Sequence, residues 1–386
     1  MRILFVNSGL RFGGAETQII RLARKLVERG HDVSLYLLSE DVPRLSELDG
    51  SGVDVIVGRK SRKLDLRELS ALRRHIREWR PDVVKSFLFD ANFYTRLAAF
   101  GSRLKVINGE RNHDYALSRS QALAHYSTCW MADAVVANTF AGRVFAARRF
   151  HLPARRAHVV WNGIDVPAAR AMVRDCGEVR AGLFAGVGVK LMIFVAALRP
   201  AKDVILAVQT ARELAGRDAA WRFVFVGDTV TSGGYKSAAV LAEEGYKEQV
   251  LAEARDAGIM PRCTFLGERR DAIRLIAASD VMLCTSRHEG FPNVVLEAMT
   301  VGTPVVSTDV SDIRRILPLP WQTVEHRDAR VLADAVERAY AERDDIAPLQ
   351  LAFVEGSATL DHACAALERV LRQYARGAGP GLKTAS

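Results

Sequence analysis

Short apolar runs, each bounded by a polar turn and followed by a stretch of helical length, constrain this chain more than any other feature. In the first half the runs occupy 3–7, 33–38, 53–57, 83–85, 106–108 and 135–138. Between 14 and 29, Ile19, Leu22, Ala23, Leu26 and Val27 fall on one helical face, and Gly30 stops the pattern. Strands that alternate with helices make a parallel sheet covered on both faces. A second series starts after the short strand and polar turn HVVWNGID at 158–165 and helix-like sequence near 170–180. Its runs are at 191–196, 222–226, 263–266, 281–284 and 304–308. The expectation is two open α/β domains, 1–163 and 164–357, with amphipathic helices near 329–343 and 360–374. The segment 358–376 would pack back on the first domain, and the tail 377–386, rich in Gly and small polar residues, would be flexible. Ligands of such sheets bind beyond the carboxyl ends of the strands, so a cleft between two facing domains is the expected site.

Composition narrows the class. With 386 residues, 49% hydrophobic and 26% charged, the chain has enough apolar surface for two globular cores. No apolar run approaches the roughly 18 residues needed to cross a bilayer. The opening Met1-Arg2-Ile3-Leu4-Phe5-Val6 is too short for a signal peptide and reads as a first strand, so a cytoplasmic protein is expected. Cys129, Cys176, Cys263, Cys284 and Cys364 form no C-x-x-C pair and argue against a zinc site or disulfide framework. The net charge of +9, from 54 basic and 45 acidic residues, is concentrated in the first half. Arg59, Lys60, Arg62, Lys63, Arg67, Arg73, Arg74, Arg77 and Arg80 form one group, and Arg143, Arg148, Arg149, Arg155 and Arg156 another. Either is a solvated face or a surface for anionic lipid or a phosphorylated acceptor. Nucleic acid is disfavoured, because no basic motif interleaved with aromatics reads bases.

Three stretches carry chemistry. In SRHEGFPNVVLEAM at 286–299, Glu289 follows an apolar strand and Glu297 falls about two helical turns on, with Pro292 in the helix's first turn. Both carboxylates can face one ligand, and Gly290 between them permits close backbone approach. The turn after the first strand holds Gly13-Gly14-Ala15-Glu16, where main-chain N–H groups at a helix start can receive a phosphate or sugar. It lacks G-x-G-x-x-G spacing, which disfavours NAD. In the second domain Arg199 and Lys202 stand just past a strand end, placed to neutralise a diphosphate.

Together these stretches resemble the large retaining glycosyltransferase family 4, over nearly the whole chain. The resemblance rests on EGFPNVVLE followed by AMTVGTPVVSTD, on Gly13 to Glu16, and on Asn162-Gly163-Ile164-Asp165. It implies the GT-B arrangement of two Rossmann-like domains, an acceptor domain first and a nucleotide-sugar domain second. It further implies that Glu297 holds the donor ribose and that Glu289 holds the transferred sugar near its anomeric centre. Backbone groups of Gly290, Phe291 and Asn293 would fix that sugar, while Lys202 and Gly14 would meet the diphosphate. One departure is Ala197, where relatives carry an Arg five positions before the Lys; Arg199 is the candidate substitute. Relatives also place a histidine after a strand of the first domain, and either His113 or Arg111 is the counterpart in ERNHD. The activity implied is transfer of a sugar from a nucleotide diphosphate sugar, UDP favoured over GDP, to a lipid-linked or glycan acceptor. No cofactor or metal is expected, since the chain has no Asp-x-Asp motif. Peripheral association with an anionic membrane is expected as well. The rival readings are a catalytically impaired sugar-nucleotide-binding protein and a nucleotide-sugar epimerase on the same architecture.

Overall fold

The computed structural model describes residues 1–111, 117–174, 176–184, 188–229 and 245–375. It divides into two compact units, Met1–Gly163 with the segment from Leu360 onward, and Ile164–Thr359. The first unit holds a seven-stranded parallel sheet of β1 (Arg2–Asn7), β2 (Asp32–Leu37), β3 (Asp54–Val57), β4 (Val83–Ser86), β5 (Lys105–Glu110), β6 (Ala134–Ala137) and β7 (Ala157–Val159). Its order is β3-β2-β1-β4-β5-β6-β7, so the chain winds outward from β1 in one direction and returns beside it to wind the other way. The helices are α1 (Gly14–Glu28), α2 (Leu66–Trp79), α3 (Leu88–Ala99), α4 (Arg119–Thr128) and α5 (Phe140–Arg149). Ile3, Phe5, Val83 and Ile107 pack under α1 on one face, while Leu4, Val6, Val84 and Val106 pack under α2 and α3 on the other. That double burial is why the strands read as continuous apolar runs.

The second unit opens with α6 (Val166–Ala171) and α7 (Cys176–Leu183), two short helices where one stretch of helical sequence was expected. Its sheet contains β8 (Lys190–Val195), β9 (Trp221–Val226), β10 (Cys263–Phe265), β11 (Val281–Cys284), β12 (Val305–Thr308) and β13 (Thr323–Val324). The order β10-β9-β8-β11-β12-β13 puts the reversal of winding between β8 and β11. The helices are α8 (Val204–Arg217), α9 (Tyr246–Asp256), α10 (Ala272–Ala277), α11 (Asn293–Val301), α12 (Ile313–Ile316), α13 (Ala329–Ala341) and α14 (Arg343–Ser357). The two-residue β13 and the fifteen-residue α14 are additions to the expected elements. Pro348 inside α14 removes one backbone donor and disguises the helix in the sequence.

The last helix, α15 (Leu360–Tyr374), belongs to the first unit. Leu360, Ala363, Cys364, Leu367 and Leu371 enter its core against α1. Arg29 donates to Asp361 at 3.1 Å and to Glu368 at 3.2 Å, and His158 Nε2 meets the Tyr374 hydroxyl at 3.1 Å. No helix among the described residues is long and apolar enough to cross a membrane.

Candidate functional site

In an open α/β sheet the strand ends diverge where the winding reverses, leaving a crevice in which ligands bind. In the second unit that crevice lies beyond β8 and β11, the strands followed by the Lys202 turn and the Glu289 loop. After β8 the chain makes a single 3-10 turn, Pro200–Lys202, preceded by the half-exposed Arg199. Lys202 follows in that turn, and Asp203 opens α8 in a left-handed conformation, φ +46°. After β11 the loop carries Thr285, Ser286, Arg287 and Glu289. The ammonium of Lys202 is ion-paired with Glu289 Oε1, which also accepts from Ser286 Oγ at 2.7 Å. The two side chains are 25% and 12% exposed, so a cation and an anion stand mostly desolvated at the crevice. Thr285 Oγ1 donates to the carbonyls of Lys202 at 3.0 Å and Asp203 at 2.8 Å, joining the two loops.

Gly290 and Phe291 are buried, and Asn293 is the first residue of α11. Ser311 Oγ donates to the Gly290 carbonyl at 2.5 Å and fixes the glycine turn. Pro292 is the residue before the helix, with ψ 93°, rather than a member of its first turn. Glu297 therefore stands one helical turn into α11, because half of the interval from Glu289 is loop. It is half-buried. Ala197 lies on the segment between β8 and Arg199, where no guanidinium can originate.

In the first unit the reversal falls between β1 and β4. Gly13, exposed and extended, caps α1, and a Cβ there would come within 2.5 Å of Glu16 Oε2. The glycine thus leaves room for the Glu16 carboxylate to fold back over the helix start. Gly14 is the first residue of α1. Burial pushes the Glu16 carboxyl above its ordinary range, against the pull of Arg111, Arg44 and Arg11. Arg111, past β5, donates from Nη1 to Asn162 Oδ1 at 2.7 Å and lies over the Phe87 ring at 5.3 Å. Burial pulls its guanidinium down to about 10. Lys85 of β4 is 3% exposed, 4.0 Å from the centre of the Phe87 ring, and its ammonium is held well below the usual lysine range by burial and by Arg111. His113 lies outside the described residues, so of the segment ERNHD only Glu110 and Arg111 are placed. Lys85 escaped sequence reading because one lysine inside an apolar run carries no signal of its own.

The basic group at 59–80 is not one uniform face. Lys60 pairs with Asp90 at 2.7 Å, and Arg73 donates to the Phe100 carbonyl at 3.1 Å. Arg59, Arg62, Arg67 and Arg74 line a groove of about 940 Å³ along α2 and the edge strand β3, together with Asp65, Glu68 and Glu78.

Two family models match the chain. One described as Glycosyl transferases group 1 covers residues 189–342, and one described as Glycosyltransferase Family 4 covers residues 12–167. The Vi polysaccharide biosynthesis protein VipC/TviE of Salmonella typhi is 28% identical over 132 residues, 32% of this chain and 23% of that protein. A D-inositol 3-phosphate glycosyltransferase of Nocardia farcinica is 28% identical over 249 residues, 63% of this chain and 52% of that enzyme. The chain thus spans about a quarter and about half of the lengths of these two relatives. The crystal structure of Anabaena HepE in complex with UDP superposes with a TM-score of 0.79 at 20% identity, covering 96% of this chain and 99% of that one. Likeness at that identity establishes the fold, the pair of Rossmann-like units of the GT-B class.

Proposed function

Because the chain belongs to the glycosyltransferases of group 1 and family 4, we propose that it moves a sugar from a nucleoside diphosphate sugar to an acceptor hydroxyl with retained configuration. The setting is the assembly of a cell-surface polysaccharide or glycolipid, at the cytoplasmic side of a membrane. The observation that carries this reading is the Lys202–Glu289 pair at the β8–β11 reversal, a cation and a carboxylate in one crevice with Ser286 holding the carboxylate. Each group matches one part of the donor.

When a donor enters, its diphosphate competes for the Lys202 ammonium. Glu289, released from the ion pair, is then free to accept hydrogen bonds from sugar hydroxyls. As the bond from the anomeric carbon to the phosphate oxygen lengthens, negative charge accumulates on the diphosphate. Lys202 stabilises that charge at a site already stripped of most water. A preorganised donor of this kind is worth roughly 100- to 1,000-fold in rate. Glu297 on α11 would accept from the ribose hydroxyls, and the backbone of Gly290, Phe291 and Asn293 would fix the sugar. Arg199 would add a second positive group in place of the one missing at Ala197. The reaction would run with no resident metal. The UDP complex of HepE supports a UDP-sugar over a GDP-sugar.

The first unit would hold the acceptor, while its Gly13, Gly14 and Glu16 would belong to donor binding. The arginine-lined groove would favour an acceptor carried at an anionic lipid surface. A screen of thermal shift with UDP, GDP, ADP and CMP sugars, followed by nucleoside diphosphate release with acceptor extracts, tests the reading. Stabilisation by one nucleotide class together with release that disappears in Glu289→Ala supports it. Turnover without any acceptor points instead to an epimerase, and binding without turnover to an impaired binding protein.

A further inference from the structure

Asp203 lies in the turn between Lys202 and α8. It follows Lys202 at φ +46°, ψ 56°, a region that residues with a Cβ rarely adopt, and its side chain does not cap the helix it begins. It is 5% exposed, so its carboxylate has lost most of its water. That oxygen is the meeting point of two guanidinium groups. Arg327, from the segment after β13, forms an ion pair with Asp203 Oδ2, and Arg287, from the loop after β11, reaches the same oxygen at 2.8 Å.

Arg327 does more than neutralise a buried charge. Its Nη1 donates to the Ser286 carbonyl at 3.0 Å, and its Nη2 donates to the Thr285 carbonyl at 2.6 Å. One planar fork therefore grips the residue after Lys202 on one side and the backbone leading to Glu289 on the other. The Arg287 N–H donates to the Ala201 carbonyl at 2.8 Å, and Thr308 Oγ1 donates to the Ser286 carbonyl at 2.8 Å. Segments after three strands, β8, β11 and β13, converge on Asp203 and Arg327.

We propose that Asp203 and Arg327 form a positioning clasp that sets the spacing of Lys202 and Glu289, acting on the reaction only through those two residues. The proposal rests on the donor reading given above. Without the clasp, the turn that carries Lys202 and the loop that carries Glu289 stay joined by Thr285 Oγ1 and the Arg287 N–H but lose the side-chain brace that sets their spacing. Lys202 then meets the diphosphate in many arrangements, few of them productive. A displacement of about 1 Å in a catalytic arrangement costs on the order of 100-fold.

The test is a set of kinetic cycles. Asp203→Gly removes the carboxylate while giving the backbone a residue at ease with positive φ, so the turn itself is not strained. Arg327→Met removes the fork, and Arg327→Lys keeps the charge without it. Turnover is measured for each, alone and combined with Lys202→Ala. Each clasp variant should lower kcat by roughly 10- to 100-fold, more than it raises KM for the donor, and Arg327→Lys should not rescue. In the native chain Lys202→Ala should cost roughly 100-fold or more, and in a clasp variant that cost should shrink by about the clasp variant's own loss, leaving the double variant close to Lys202→Ala alone. Equal penalties for Lys202→Ala in both backgrounds overturn the clasp, because a merely structural loss adds independently. If Lys202→Ala costs nothing in the native chain, the donor reading itself fails. Crystal structures of Asp203→Gly and Arg327→Met then decide the clasp without activity. Separation of the Lys202 ammonium from the Glu289 carboxylate supports it, and an unchanged pair overturns it.

Discussion

Replacing Gly227 by alanine should unfold the second unit more easily than any conservative surface change. Gly227 follows β9 with φ +133°, a conformation open to glycine and costly to residues that carry a Cβ. Its N–H donates to the Gly267 carbonyl at 2.7 Å, so the backbone cannot rotate away without giving up that bond. A Cβ at this position would be driven onto the carbonyl oxygen of Ala196, with the carbonyl carbon at 2.7 Å and the Ala197 nitrogen at 3.3 Å. Those are main-chain atoms, and no rotamer change relieves them. The backbone conformation contributes about 1–3 kcal/mol and the steric clash about 1–3 kcal/mol more, so a loss of roughly 2–6 kcal/mol is expected. The displaced segment is the one that leads from β8 to Arg199 and Lys202, so donor binding should weaken as well. Urea unfolding of native and Gly227→Ala protein, with calorimetric titration of the preferred nucleotide, measures both. A loss of stability below about 1 kcal/mol with unchanged affinity would refute the reasoning.

Other consequences follow from groups outside that turn. Burial pulls His125 from 6.5 to about 4, with its ring against Phe150 at 4.8 Å and Nε2 facing the Arg149 carbonyl at 3.2 Å. The folded state favours the neutral ring, so its contribution is complete above about pH 6.5 and is lost as pH falls towards 4. The change is at most about 3 kcal/mol. Urea midpoints at pH 7.5 and 5 should converge in His125→Leu, and an unchanged difference contradicts the assignment. Changing Arg62, Arg67 and Arg74 to Glu should abolish salt-sensitive binding to anionic vesicles while leaving binding of the nucleotide intact. Binding that survives in 0.5 M salt, or that persists in the variant, removes the groove from the account.

The alternation of strands and helices was legible because each central strand is apolar on both faces, and β1 through β12 lie within a residue or two of the runs that announced them. Two elements were not. Strand β13 is too short to leave a pattern, and α14 carries Pro348 and Gly356, residues that ordinarily mark helix ends. Pro292 misled by a single position, which shortened the helical part of the Glu289 to Glu297 interval. The candidate donor residues were readable where chemistry and sequence are local, as in the loop after β11. The residues that brace them were not. Arg327 stands 41 positions from Ser286, and only the return of β13 to the sheet brings its guanidinium to the loop. Asp203 drew no reading from the sequence, and although it precedes a helix its side chain does not cap it.

The proposed activity depends most on Lys202 and Glu289 serving a nucleoside diphosphate sugar. The direct measurement is release of nucleoside diphosphate from the preferred nucleotide sugar in the presence of acceptor extract, for the native chain and for Glu289→Ala. Release that requires acceptor and falls at least about 100-fold in the variant is the predicted result. Equal release from both proteins, or none from the native chain with any nucleotide sugar, would contradict it.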